Sequence, residues 1–208
     1  FSYIGLGANV WRQPSIPCER CHLLCARGAV GGSRKLLRGE VILADKKLNV
    51  LFLCTGNSAR SIIAESILNH TAKGRFRGFS AGSFPSGEVN PLVLDFLEQQ
   101  GISTQGARSK NWDEFAAPNN DTELDFVITV CDNAAGEVCP VWPGQPITAH
   151  WGVEDPAQFM EDAEKARKVI HDVFHVLNRR IQLFVNLPAS SLDRLALSTA
   201  VSDIGKQK

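Results

Sequence analysis

Between Cys54 and Arg60 the chain reads Cys-Thr-Gly-Asn-Ser-Ala-Arg, a thiol and a guanidinium separated by five small or polar residues. That pattern suits chemistry on a tetrahedral oxyanion. Gly56 and Asn57 tolerate left-handed backbone angles. A loop bent in this way turns successive N–H groups inward and makes a nest for anionic oxygens. Arg60 can grip two such oxygens at once, and a helix starting here adds its positive N-terminal end. The same surroundings act on the thiol. An ordinary cysteine near pKa 8.5 is only about 3% thiolate at neutral pH, and helix N-termini and cations lower that pKa. Ser61 can donate a further hydrogen bond. The expectation is a loop of Cys54, Thr55, Gly56, Asn57, Ser58, Ala59, Arg60 and Ser61 that binds an oxyanion and activates the sulfur below it.

Such a loop needs a strand before it and a helix after it, and both are legible. "LNVLFLC" (48–54) is a short apolar run of the kind that forms a strand buried on both faces. A helix is expected from about Ala59 to Lys73, with Ile62, Ile63, Ser66, Ile67 and His70 at helical spacing. "FRGFSAGS" (76–83) is a second strand. In "NPLVLDFLEQQGI", Asn90 is an N-cap, Pro91 the first helical residue and Gly101 the stop. "ELDFVITVC" is a third strand that also runs into a cysteine, Cys131, and "QPITAHWG" a short fourth. A long amphipathic helix spans roughly Glu161 to Leu187, its core side marked by Ala166, Ile170, Val173, Leu177, Ile181 and Phe184. A capped helix, "SSLDRLALSTAVSDIG", closes the chain. Alternation of this kind predicts an α/β domain, a four-stranded parallel sheet with helices on both faces. Ligands bind such sheets at the carboxyl ends of strands beside the topological switch point. Cys54 and Cys131 both sit at such ends.

Composition narrows the partners. With 22 basic and 22 acidic residues among 208, nucleic acid and anionic membranes are disfavoured, and no stretch approaches the roughly 20 apolar residues of a membrane span. Six cysteines without a signal peptide suit thiol chemistry or metal binding rather than a disulfide framework, and a cytoplasmic location. Residues 1–46 mix Gly, Pro and Arg, with acids scarce before Glu40. They read as an N-terminal extension: a disordered tail or translated upstream sequence, with a transit peptide as the other option. Within them "CERCHLLC" (Cys18, Cys21, Cys25, with His22) suggests zinc ligands. A structural zinc site usually needs two ligand pairs from separate loops, and no second pair is in view, so no metal is expected. The expected organisation is the extension, a catalytic domain over 47–189, and a C-terminal helix and tail over 190–208.

"CTGNSARS" resembles the anion loop of the low-molecular-weight tyrosine phosphatase superfamily, whose members include phosphatases and a class of arsenate reductases on one fold. The resemblance covers about Leu48 to Leu187 together with the C-terminal helix, and it implies a flavodoxin-like winding of the sheet. Asp155 and Pro156 in "HWGVEDPAQF" match the superfamily's Asp-Pro acid loop. The resemblance makes Asp155 the general acid that protonates a departing oxygen from a mobile loop. His150 and Trp151 beside it read as loop packing. Many members carry a second cysteine just before the Arg, where this chain has Ala59. The phosphatase branch usually has aromatic residues after the Asp-Pro, where this chain has Ala157 and Gln158; Tyr3 is its only tyrosine.

"TVCDNAAGEVCP" resembles the relay of the arsenate reductases. That implies a sequence of steps: Cys54 attacks arsenic, Asp155 assists loss of water, and Cys131 attacks Cys54 to release arsenite. Cys139 then takes over Cys131 and presents a disulfide to thioredoxin, or to glutaredoxin with glutathione. Eight residues of α-helix rise about 12 Å, whereas a disulfide needs Cα atoms within about 7 Å. The 131–139 segment must therefore loop, or unwind during turnover. Asn57, Glu65 and Ser80 match positions that surround a monovalent cation in some members. The Lys110 ammonium is expected to replace that cation by pairing with Glu65.

The expected activity is arsenate reduction for arsenic detoxification, with no bound cofactor and an external thiol reductant. The alternative is a low-molecular-weight protein tyrosine phosphatase or small phosphate-ester phosphatase. A third reading is a non-enzymatic oxyanion-binding or redox-sensing module. The first two differ in whether Cys131 and Cys139 matter to turnover, and the third predicts tight oxyanion binding without multiple turnovers.

Overall fold

Val50, Leu51, Phe52 and Leu53 are fully buried. Successive side chains of a strand point to opposite faces, so a four-residue apolar run demands cover on both. β1 (Leu48–Cys54) accordingly lies inside a parallel sheet ordered β2-β1-β3-β4, with β2 at Phe76–Gly82, β3 at Phe126–Thr129 and β4 at Ile147–His150. The computed structural model describes residues 47–72, 74–116, 120–135, 140–159, 161–188 and 193–207. Cys139 and the cluster of Cys18, Cys21, Cys25 and His22 lie outside the described residues.

Five α-helices are described: α1 (Arg60–Thr71), α2 (Pro91–Gln99), the single turn α3 (Asp132–Ala135), α4 (Ala163–Val185) and α5 (Arg194–Gly205). The buried side chains of α1, α2, α4 and α5 join Val50, Phe52 and Ile128 in one core layer. On the other face Leu51, Leu53 and Val127 pack with Phe115, Leu124 and Trp142, a thinner layer closed by a 3₁₀ turn, Trp112–Phe115, and its neighbouring loops. The long helix follows its predicted stripe: Ala166, Ile170, Val173, Leu177, Ile181 and Phe184 are all buried. The Asp162 side chain accepts from Lys165 N at its start. Helix α2 is capped by Asn90, whose side chain accepts from Leu92 N, and is followed by Gly101 at φ 72°.

Helix α1 differs from its predicted face. Ala64 and Leu68 are buried with Ile62, Ile63 and Ile67, whereas Ser66 is half-buried and His70 exposed. The cause is position: α1 packs against both β2 and α4, so its apolar stripe is broad and rotated. Among the described residues no helix is long and apolar enough to cross a membrane.

The order of strands reverses between β1 and β3, which makes the carboxyl ends of these two strands the switch point. Cys54 is the last residue of β1. β3 ends at Thr129, two residues short of Cys131, although Val130 N still donates to Leu53 O at 2.8 Å. Both cysteines therefore meet at one crevice.

Candidate active site

The turn from β1 into α1 is held from outside by its carbonyls. The oxygens of Cys54, Thr55, Gly56 and Ser58 accept from Ser83 N (3.3 Å), Phe84 N (3.0 Å), Ser86 N (2.9 Å) and Asn90 N (2.9 Å). The Ser109 hydroxyl adds a bond to Gly56 O at 3.2 Å. A peptide unit whose carbonyl is taken from outside directs its N–H the other way, so these bonds build the inward-facing nest. Asn57, at φ 43°, supplies the left-handed residue; Gly56 was the other candidate and is not in that region. Ala59 precedes α1 without a side-chain cap, and the first turn holds no acid. The helix start is thus left for an anion.

Gly82 is part of this construction. A Cβ there would run into the carbonyl oxygen of Thr55 and stand 3.0 Å from both N and Cβ of Asn57. Backbone cannot yield as a flexible side chain does. Gly82→Ala is expected to destabilise the fold by about 1–3 kcal/mol and to weaken oxyanion binding. Urea denaturation and phosphate titration calorimetry read the two effects.

Asn57 and Ser61 are completely buried and are fixed by a polar network. Asn57 Nδ2 donates to Ser61 Oγ (2.9 Å) and Ser80 Oγ (3.0 Å), while its Oδ1 accepts from Lys110 N (2.8 Å). Ser80 donates to Glu65, and Lys110 Nζ reaches Ser80 Oγ at 3.3 Å, Arg108 O at 3.3 Å and Glu65 Oε2 at 3.5 Å. Because Ser61 Oγ already accepts from Asn57, its own hydrogen is free to point at Cys54 Sγ, 2.9 Å away. Asn57 N lies 3.1 Å from the same sulfur.

The sulfur itself departs from the expectation. Burial pushes the Cys54 thiol up; hydrogen bonds from Ser61 and the charge of Arg60 pull it down, and Cys131 pushes it up again, with a net rise. The cost of an ion in a dry strand end outweighs the loop here. Arg60 itself is paired: its Nη2 donates to Asp155 Oδ2 at 2.6 Å.

Asp155 is delivered by the segment after β4. Its Oδ1 accepts from Ala157 N at 3.1 Å, starting the short turn Pro156–Phe159. The root of that segment is anchored by residues that carried no functional signal in the sequence. Trp151 is fully buried, and its Nε1 donates to Val201 O in α5 at 2.9 Å. Arg180 interrupts the apolar stripe of α4. It donates to Trp151 O (2.9 Å), Gly152 O (3.1 Å) and Gln207 O, and its burial lowers its pKa. Of the two arginines between core positions Leu177 and Ile181, Arg180 falls on the apolar stripe, three residues after Leu177, and that was the available clue.

Cys131 is 1% exposed. Thr55 Oγ1, one residue past Cys54, lies 3.6 Å from its sulfur, and Ala134 N lies 3.4 Å away. Cys54, Thr55, Arg60, Cys131 and Asp155 thus converge, with Asn57, Ser61, Glu65, Ser80 and Lys110 behind them.

The model of the family described as low molecular weight phosphotyrosine protein phosphatase matches residues 49–194. The chain belongs to this family. The protein named arsenate reductase from Shouchella clausii (strain KSM-K16) is 34% identical over 140 residues, covering 67% of this chain and 96% of that relative. A structure described as an arsenate reductase in the phosphate binding state matches with a TM-score of 0.51 at 29% identity, over 65% of this chain and 97% of the other. The tyrosine phosphatase Wzb from Escherichia coli K30, solved with sulphate, matches with a TM-score of 0.54 at 17% identity, over 67% and 97% of the two chains. This last likeness concerns the fold alone.

Proposed function

We propose that this chain reduces arsenate to arsenite through a thiol relay. The observation that carries the reading is the second buried thiol, Cys131, lodged against Thr55 beside Cys54. A phosphatase regenerates its nucleophile with water, whereas reduction of arsenate needs two electrons from thiols. The relatives named arsenate reductase point the same way.

Oxyanion binding in the nest competes with Asp155 for the Arg60 guanidinium. The released carboxylate takes up a proton, which it can hand to a leaving oxygen. Cys54 thiolate attacks arsenic, an As–O bond breaks, and water departs with the proton from Asp155. Cys131 thiolate then attacks Cys54 Sγ. The S–As bond breaks, its electron pair stays on arsenic, and As(V) becomes As(III) as arsenite leaves. Cys139 attacks Cys131, returning Cys54 to the thiol and leaving a Cys131–Cys139 disulfide. An external dithiol restores the pair, thioredoxin or glutaredoxin with glutathione. Such chemistry belongs in a reducing compartment, the cytoplasm.

Lys110, Glu65 and Ser80 support the loop through Asn57. The Lys110 ammonium sits among oxygens of Glu65, Ser80 and Arg108, filling the role of a monovalent cation. Phosphate esters fit the same nest, so slow ester hydrolysis is expected beside the main activity.

The test is arsenate-dependent NADPH oxidation, supplied in parallel with thioredoxin and its reductase or with glutathione, glutaredoxin and glutathione reductase. Turnover in either system supports the reading. Rapid ester hydrolysis with no arsenate turnover in both would make this chain a phosphatase.

A further inference from the structure

Helix α5 begins where the match to the family ends, at residue 194, and it packs against β4. Its buried residues Leu197, Val201 and Ile204 join the main core layer. The helix is tied to the strand near both ends. Arg194 Nη2 donates to Gln145 O, two residues before β4. At the other end Gly205 lets the helix meet the last residue of the strand: a Cβ there would run into His150 O and stand 2.6 Å from Trp151 Cδ1. Between these points Trp151 Nε1 donates to Val201 O at 2.9 Å.

Trp151 and Gly152 open the segment that carries Asp155. Trp151 N donates to Thr129 O (2.7 Å) and Val153 N to Val130 O (3.2 Å), while the carbonyls of Trp151 and Gly152 accept from Arg180 Nη1. The backbone is thus pinned as far as Val153, and only Glu154 separates that residue from Asp155. Arg180 joins this root to α5, its Nε and Nη2 donating to Gln207 O at 3.1 and 2.9 Å. Four of its five N–H groups are used in this way. Arg180 is 6% exposed, and a buried guanidinium is costly unless its donors are met. Gln207 follows the C-cap Lys206, so the cation meets the negative end of the α5 dipole.

We propose that α5 is a clamp for the acid segment and Arg180 a positioning residue, together setting where the Asp155 carboxyl stands beside the nest. The proposal rests on the reading of Asp155 as general acid. So few torsions separate the pinned root from Asp155 that a shift of the root is carried to the carboxyl. Misplacing a catalytic group by about 1 Å costs on the order of a hundredfold in rate. The donors of Arg180 are directed at carbonyls, so its effect on the reaction runs through Asp155. Loosening the clamp withdraws the acid and leaves the nest as it is. It also weakens the hold of Asp155 on Arg60, so anion binding has no reason to fall.

The experiment measures kcat/KM of the full chain for p-nitrophenyl phosphate and phenyl phosphate, together with arsenate turnover and inhibition by phosphate. The nitrophenolate leaves with little help from an acid, whereas phenolate needs its proton. Arg180→Met and Gly205→Ala are each expected to lower kcat/KM for phenyl phosphate about ten- to a hundredfold. The ratio of p-nitrophenyl to phenyl phosphate should rise, as it does in Asp155→Asn. Phosphate inhibition should be no weaker than in wild type. Alanine favours helix over glycine, so a loss in Gly205→Ala comes from displacement and not from helix propensity. Combined with Asp155→Asn, neither substitution should lower ester hydrolysis or arsenate turnover any further. A general loss of packing would instead add to Asp155→Asn, slow both esters alike and weaken phosphate inhibition. That result overturns the clamp, as does an unchanged ratio in both variants. If Asp155→Asn itself leaves the ester ratio and arsenate turnover unchanged, Asp155 is not the acid, and the clamp falls with that reading.

Discussion

Cys131→Ser is expected to cut steady-state arsenate turnover by at least about a thousandfold, because attack by a held neighbouring thiol carries effective molarities far above any millimolar external thiol. Phosphate-ester hydrolysis should stay within about threefold of wild type, since it uses nest, nucleophile and acid but no second thiol. The geometry allows this separation. Cys131 meets the loop at Thr55 Oγ1, 3.6 Å from its sulfur, and serine keeps a group there of similar shape. Cys131 also pushes the Cys54 pKa up, so its removal eases ionisation of the nucleophile and gives ester hydrolysis no reason to fall. The two assays must be run on one preparation: equal loss of both would mean that Cys131 supports the loop, and the relay would be wrong. Arsenate turnover that survives with thioredoxin would remove Cys131 from the electron path altogether.

The parts of the site that were legible in the sequence are the local ones. Cys54 through Ser61 sit within eight consecutive residues, and the strand before them and helix after them follow from a four-residue apolar run and a change of period. The hydrophobic stripe of α4 was equally plain. What the sequence left obscure depends on contacts between distant segments. The nest is shaped by carbonyl bonds to residues 83–90 and by Lys110 N on Asn57, none of which has a signature of its own. Gly82 looked like the small end of a strand, and only the Thr55 and Asn57 backbone beside it shows why it has no side chain. His150 read as packing because its two partners are distant in sequence: Thr129 is brought beside it by strand register and Asp132 by the start of α3. The state of Cys54 is the sharpest case. Sequence displays the cation and the helix start that favour a thiolate. It does not display the layers that dehydrate the sulfur, or the carboxylate that occupies Arg60.

Asp155→Asn should therefore produce two opposite changes. Arsenate turnover should fall about a hundred- to a thousandfold, within the range of a lost general acid, because asparagine has no proton to give to the leaving oxygen. Alkylation of Cys54 by iodoacetamide should instead become faster at neutral pH, with its pH midpoint moved down. The sign follows from the charges. Burial raises the Cys54 pKa while Arg60 lowers it, and the Asp155 carboxylate, 2.6 Å from Arg60, cancels part of that help. Removing the negative charge leaves the guanidinium to act on the sulfur alone, and a thiolate is favoured by an uncompensated cation. A variant that is a worse enzyme but holds a more reactive nucleophile separates acid catalysis from nucleophile activation in one substitution. If turnover and alkylation both declined, Asp155 would be holding the loop in shape rather than supplying a proton. If turnover were unchanged, the departing oxygen would be taking its proton from another group, and the ion pair with Arg60 would be the whole of Asp155's part in the site.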